Sequence, residues 1–218
     1  MIVFKGFRGN MTCTMGSGSF QYKIGKKATA KEAQTARTGL HSTKEPFGIL
    51  SYYHDLNHDA FCICEAAGDV NEDEHGRVAS TELTPLKKLT PKELAIYEAL
   101  YIEKHPELDT SLYVKRNEAR DNGHFAVVRG KDPKGYGERG TVICLLQEYA
   151  SSKRIKKVEI FEIDGKENKS GWYGIGGKIK HEEGEPEKTK NIKGNTGDRV
   201  KSKQRSSGNG KNTALVRS

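Results

Sequence analysis

The sequence lacks long hydrophobic runs and a secretory leader. No apolar run approaches the roughly 18 residues that a membrane-spanning helix needs, and the mean hydropathy is -0.76. The first residues, MIVFKGF, have neither the basic region, the long apolar region nor the small-residue cleavage site of a secretory signal. These absences argue against a membrane protein and against a secreted one. We therefore expect a chain that acts in the cytoplasm without a membrane partner.

Cysteine is also scarce, with four residues among 218. Cys62 and Cys64 alternate along an expected strand, and such a C-x-C pair on one face rarely closes a disulfide. His54 and His58 stand four residues apart, but Asn57-His58-Asp59 is typical of a turn, which would separate metal ligands. No Ser-His-Asp or Cys-His nucleophile arrangement can be singled out. The pattern predicts reduced, buried thiols and no metal.

Most of the chain lacks a charge imbalance. The formal net charge is +8, yet residues 1–187 contain 28 basic and 28 acidic side chains, whereas residues 188–218 contain 9 basic and 1 acidic. The last segment has no aromatic residue, so burial cannot offset its ordering entropy, and we predict a disordered tail. It is either a solubilising tail or an arm that binds nucleic acid. The basic residues for such binding are Lys188, Lys190, Lys193, Arg199, Lys201, Lys203 and Arg205.

Apolar alternation and turn residues predict the elements of the remainder. The sequence predicts a short helix from Pro46 to His54, and a second helix that starts at Thr90-Pro91-Lys92-Glu93. Thr90 can cap that second helix, and Glu93 completes a capping box. Strands are expected near residues 2–4, 20–24, 60–67, 77–86, 124–128, 141–149 and 157–163, with a small hairpin near residues 172–179.

The stretch Arg37 to Val70, together with the opening strand, resembles part of the ADP-ribosyltransferase fold. The residues that carry the resemblance are Phe4-Lys5-Gly6, the corner Gly39-Leu40-His41-Ser42, the pair Tyr52-Tyr53 and the strand end Cys64-Glu65-Ala66-Ala67-Gly68. The resemblance implies an NAD-binding cleft. Its implied cofactor-binding residues are Lys5, Gly6, His41, Ser42, Tyr52 and Tyr53. Lys5 stands where that family has histidine or arginine, which is a departure.

The same resemblance implies a catalytic glutamate on a late strand. In that family the carboxylate hydrogen-bonds the ribose and stabilises an oxocarbenium-like transition state as nicotinamide leaves. Glu82, within Ser80-Thr81-Glu82-Leu83, has the best placement for this role. Two alternatives stay open: an NAD-dependent ADP-ribosyltransferase, and a degenerate member that keeps the cleft without the chemistry.

Residues 1–183 also resemble a phage and prophage domain of unknown function with a companion C-terminal β module. The shared features are the opening F-K-G-F, the G-L-H corner followed by a proline and Tyr-Tyr, the E-A-x-G-D-V strand end, and the later T-V-I-C-L-L-Q-E-Y, I-F-E-I-D-G and Trp172-Tyr173. This resemblance implies a phage-encoded accessory protein that acts in the cytoplasm of a bacterial host.

These observations together predict an α+β protein with four parts. They are an ADP-ribosyltransferase-like module at residues 1–90, a connector helix and loop at 91–121, a small antiparallel β module at 122–187 and a disordered basic tail at 188–218. The leading hypothesis is an accessory protein with an NAD or nucleotide cleft. The alternatives are a non-enzymatic, anti-CRISPR-like inhibitor that binds a bacterial host protein or ribonucleoprotein, its tail engaging nucleic acid, and a structural component of a virion. The oligomeric state is left open.

Overall fold

β-Strands dominate the structure, a computed structural model that describes residues 1–15, 18–108 and 111–179. The predicted tail and its seven basic residues lie outside these ranges. The first half of the chain contains β1 (Ile2–Phe7), β2 (Thr12–Met15), β3 (Gly18–Gln21), β4 (Ala28–Thr29), β5 (Leu40–Thr43), a 3₁₀ helix (Pro46–Ser51), β6 (Ala60–Glu72) and β7 (Arg77–Leu89).

The second half begins with the α-helix and continues as strands. Its elements are α1 (Pro91–Lys104), β8 (Val114–Arg120), β9 (Phe125–Gly137), β10 (Val142–Glu148), β11 (Ile155–Glu162), β12 (Gly171–Gly174) and β13 (Gly177–Lys178). Within the described ranges, no helix is long and apolar enough to cross a membrane.

The predicted α+β, ADP-ribosyltransferase-like fold is wrong, because the described part of the chain is mostly β-structure in several sheets. The segment predicted as a helix near Pro46 is a six-residue 3₁₀ helix. The strand predicted to stop at Gly68 continues to Glu72 instead. Gly68 adopts a φ of 71° in a register shift of the β6–β7 pairing, and the Thr81 hydroxyl accepts a hydrogen bond from the Asp69 N–H. The turn residues thus form a bulge within a long hairpin.

The N-terminal sheet closes on itself. Its strand order is β4-β7-β5-β1-β6, and β6 also pairs with β7, all antiparallel. Because β1 and β5 complete the ring, residues far apart in the sequence come together; Phe4 pairs with Thr43 and Ile63. Apolar and thiol side chains of β1, β6 and β7 fill one core cluster, which includes Val3, Phe7, Cys62, Cys64, Val78 and Leu83.

Helix α1 starts as the sequence predicts. The Thr90 hydroxyl accepts a hydrogen bond from the Glu93 N–H, and the Glu93 carboxylate accepts one from the Thr90 N–H, so the predicted capping box is confirmed. Leu94, Ala95, Ala99 and Ile102 face the core and pack with residues of the 3₁₀ helix and of β9 and β10. The helix therefore joins the two sheets through one apolar core.

The C-terminal sheet is mixed, so the predicted antiparallel module is wrong. Its order is β11-β10-β9-β12-β13, with β8 also paired to β9, and both β8 and β10 run parallel to β9. At Gly130 the φ is 158°, and an added Cβ would lie 2.6 Å from the Asn117 Oδ1, while the β8–β9 register shifts between Arg116 and Glu118. Glycine lets the two strands approach there.

Candidate functional site

A cavity of about 780 Å³ opens beside β1, β5 and the end of the 3₁₀ helix. The structure brings together on its wall all six residues that the sequence predicted for cofactor binding: Lys5, Gly6, His41, Ser42, Tyr52 and Tyr53. Strand pairing causes this convergence, because β1 and β5 are neighbours and the 3₁₀ helix follows β5 directly. Cofactor binding itself stays a prediction.

Gly6 allows the ring of Tyr53 to lie against β1. A Cβ added at Gly6 would lie 2.5, 2.8 and 2.9 Å from the Cδ2, Cγ and Cβ atoms of Tyr53. Tyr53 also packs against the core cluster of the N-terminal sheet and against the cluster around α1 that both sheets share, and it lines the cavity. The absence of a side chain at Gly6 therefore sets the position of one aromatic wall. Tyr52 is more exposed, with 60% of its surface accessible.

Lys5 is buried, although a lysine on a short terminal strand would ordinarily face water. Only 7% of its surface is exposed. Its Nζ donates a hydrogen bond of 2.5 Å to the His41 carbonyl and lies 5.6 and 5.4 Å from the ring centroids of Phe7 and Tyr22. Burial lowers the pKa of Lys5, because the ammonium loses its hydration.

Two buried polar atoms of β5 have no hydrogen-bond partner among the described residues. They are the Ser42 Oγ and the His41 Nε2, and both residues line the cavity. Burial lowers the pKa of His41, and the positive charge of Lys5 lowers it further. Buried polar atoms are nearly always satisfied, so unpaired ones beside a cavity mark places where a ligand or water would bond.

The charge of the cavity wall has one sign. Arg8, Arg37 and Arg77 line it together with Lys5, and the lining within residues 1–15, 18–108 and 111–179 contains no Asp or Glu. Arg77 forms an ion pair with Asp73, with 2.6 Å between the Arg77 Nε and the Asp73 Oδ2. The Tyr52 side chain also interacts with Arg77 and helps to raise the pKa of that guanidinium. Sequence reasoning missed the three arginines, which belong to no recognisable motif.

A Domain of unknown function (DUF7666) covers residues 1–97. This DUF7666 segment is less than half of the chain, and it contains all the residues that line the cavity. No curated protein and no solved structure matches the chain. The comparisons therefore support a domain of unknown function in the N-terminal part. The resemblance to ADP-ribosyltransferases and the phage origin remain expectations.

Glu82 lies outside the cavity of the DUF7666 segment. It is on β7, opposite Ala67 of β6 and Thr29 of β4, and its carboxylate forms an ion pair of 2.7 Å with the Lys27 ammonium. The structure thus does not bring Glu82 together with Lys5 and the tyrosines. Its catalytic role stays a prediction, and the proposal below does not depend on it.

The thiols of the DUF7666 segment are buried and unpaired. All four cysteines of the chain are buried, which confirms the predicted burial, and none of them forms a disulfide within the described residues. Burial raises the pKa of Cys62 to about 11 and raises that of Cys64 still further, so both are neutral at physiological pH. Among the described residues, no group of three or more His, Cys, Asp or Glu is arranged to hold a metal. Neither thiol is therefore an activated nucleophile.

Proposed function

We propose that the cavity of the DUF7666 segment binds a phosphorylated aromatic ligand, a nucleotide such as NAD. The observation that carries this proposal is the wall charge: Arg8, Arg37, Arg77 and Lys5 line the cavity, and no carboxylate is among the described residues of its lining. A half-enclosed site with this charge attracts anions, and its low dielectric strengthens that attraction. Guanidinium groups bind phosphate oxygens in a bidentate manner.

The remaining wall supports an aromatic ligand of nucleotide size. Tyr52 and Tyr53 offer flat apolar faces for a base or a nicotinamide ring. The unpaired Ser42 Oγ and His41 Nε2 supply polar atoms for a ribose or an amide edge. A volume of about 780 Å³ lies within the range of roughly 300–1,000 Å³ that is typical of small-molecule sites.

The biological setting belongs to the same proposal. The expected phage or prophage origin places this nucleotide binding in the cytoplasm of a bacterial host, in an accessory protein that senses or sequesters the ligand. We include no ADP-ribosyl transfer, because Glu82 is paired with Lys27 away from the cavity. The rival inhibitor role through the basic tail gains no support from the described residues.

Calorimetric titration with NAD, ADP-ribose, AMP and adenosine tests the proposal. We expect the phosphorylated ligands to bind and adenosine to bind at least about tenfold more weakly, since one charge-assisted hydrogen bond contributes about 1.5 kcal/mol. Arg37→Gln should weaken ADP-ribose binding by a similar factor. Arg154→Gln is the matched control, because Arg154 is also exposed but lies far from the cavity lining.

Two results would count against nucleotide binding. One is the absence of saturable heat or a thermal shift with every phosphorylated ligand. The other is an equal loss of affinity in the Arg37 and Arg154 variants, which would indicate non-specific attraction by a basic surface.

A further inference from the structure

Lys5 has no carboxylate partner in the part of the chain that the structure describes. The groups facing it are the His41 carbonyl, the rings of Phe7 and Tyr22, and the thiols of Cys13 and Cys64. Buried lysines are ordinarily paired with an acid, because an isolated ammonium is costly to remove from water. Burial of Lys5 without a carboxylate partner among the described residues therefore makes its ammonium easier to deprotonate than that of an exposed lysine.

The geometry also holds this amine at the cavity wall. One hydrogen bond to the His41 carbonyl and two flanking rings fix the Nζ, so little side-chain entropy remains to be lost when it reacts. An oriented amine that lines a cavity and has a lowered pKa is the usual arrangement of a lysine nucleophile toward carbonyl compounds. If the side chain at position 5 only supported the sheet, an apolar residue would serve equally well.

Proton donors and anion-binding groups surround the same point. Tyr22 and Tyr53 line the cavity, and burial raises the pKa of each phenol, so both keep their protons. Burial and the Lys5 charge lower the pKa of His41, which favours its neutral form. Arg8 and Arg77 stand on the same wall, where they would hold a phosphate. The cavity thus combines an amine, proton donors and a phosphate-binding rim.

We propose that the Lys5 Nζ forms an imine with a phosphorylated aldehyde bound in this cavity, such as the open-chain form of a phosphorylated reducing sugar. This inference rests on the proposed nucleotide site and narrows its ligand to one with a free carbonyl, for which ADP-ribose qualifies and NAD does not. The nitrogen lone pair attacks the carbonyl carbon, and one of the two nitrogen protons passes to the carbonyl oxygen. The resulting carbinolamine loses the nitrogen proton and its hydroxyl as one water molecule, so no oxidant or reductant is required.

Reductive trapping with pyridoxal 5′-phosphate, a phosphorylated aldehyde, tests the proposal on the full chain. The imine is reduced with borohydride, and the modified lysines are located by peptide mass spectrometry. We expect about tenfold or more adduct at Lys5 than at exposed Lys27, because each unit by which an amine pKa falls raises its neutral fraction about tenfold. Pyridoxal without phosphate should label Lys5 much less, and ADP-ribose should protect it.

Variants separate reaction from folding. Lys5→Arg keeps a cation but cannot form an imine, so its pyridoxal 5′-phosphate adduct should be lost, while Lys27→Arg should leave the Lys5 adduct unchanged. If Lys5→Arg does not fold, locating the modified lysines in the original sequence by mass spectrometry still tests the proposal. Adducts spread evenly over exposed lysines would overturn the imine, and a Lys5 adduct that ADP-ribose does not reduce would reject ADP-ribose as the ligand of this site.

The failure of this inference is distinguishable from the failure of nucleotide binding. Calorimetric binding of ADP-ribose without a Lys5 adduct would reject the imine and leave the nucleotide site standing. A Lys5 adduct with no binding of any nucleotide would retain the aldehyde chemistry and reject the nucleotide. The absence of both would reject both proposals.

Discussion

Substitution of Gly6 by alanine tests how the aromatic wall of the cavity is positioned. The new Cβ would come within 2.5–2.9 Å of the Cβ, Cγ and Cδ2 atoms of Tyr53, which form the base of that side chain rather than its movable end. Either β1 or the turn after the 3₁₀ helix must therefore shift. Overpacking of this kind costs about 1–3 kcal/mol of unfolding free energy. We expect about 2 kcal/mol for Gly6→Ala, together with weaker ligand binding as the Tyr53 ring moves into the cavity.

The assay is a double-mutant cycle in urea. Gly6→Ala, Tyr53→Ala and the double variant are unfolded, and their unfolding free energies are compared with that of the original chain. Since the clash requires the Tyr53 ring, Gly6→Ala should cost much less in the Tyr53→Ala background. We expect a coupling energy of about 1–2 kcal/mol.

Gly174→Ala is the matched control for that cycle. Gly174 is also a buried strand glycine, but an added Cβ there would lie 3.5 Å from the Ile179 Cδ1, an ordinary contact. This variant should change the unfolding free energy by less than about 1 kcal/mol. The reasoning is refuted if Gly6→Ala costs no more than Gly174→Ala, or if its cost is the same with and without the Tyr53 ring.

Three further predictions concern buried and exposed charges. Burial and the nearby Glu45 charge raise the pKa of Glu98 well above its usual 4.5. The folded state therefore retains a proton that the unfolded chain releases, and the unfolding free energy falls as the pH rises above 4.5. Glu98→Gln should remove this pH dependence, so in urea unfolding the variant should be more stable relative to the original chain at pH 8 than at pH 5. The same change of unfolding free energy with pH in both proteins would contradict the prediction. Arg129→Met should lower the unfolding free energy by about 3–5 kcal/mol, because it takes from the buried Glu148 carboxylate a partner whose Nε lies 2.7 Å from it. A decrease in melting temperature of less than about 2 °C would contradict this. Glu82→Gln should leave the calorimetric affinity for ADP-ribose unchanged, and a tenfold loss would place Glu82 in the site.

Local signals identified the elements whose residues carry the necessary chemistry themselves. The capping box at Thr90 and Glu93 defines the start of α1, because both hydrogen bonds form within four residues. The apolar runs of β6 and β10 are buried strands, as their composition indicates. β8 was missed, because five of its seven residues are exposed and its sequence, VKRNEAR, has no strand-like alternation.

Long-range pairing explains what the sequence did not predict about the fold. Gly68 would end most strands, yet the β7 partner continues alongside and converts the turn into a bulge. Likewise, β10 lies parallel to β9, although only residues 138–141 connect them. Such outcomes depend on strand partners elsewhere in the chain, which neither propensity nor alternation records.

The sequence by itself determined the capped helix, the apolar strands, the neutral body with its basic C-terminal segment, and the six residues that line one cavity. The tertiary structure alone decided what surrounds them. Closure of β1 against β5 brings the Lys5 Nζ to the carbonyl of His41, 36 residues away, and buries it without an acidic partner among the residues that the structure describes. The same closure adds Arg77 to the cavity wall and leaves Glu82 outside. Charge and burial at a site depend on neighbours in space, and these are set by the strand pairing of the whole sheet.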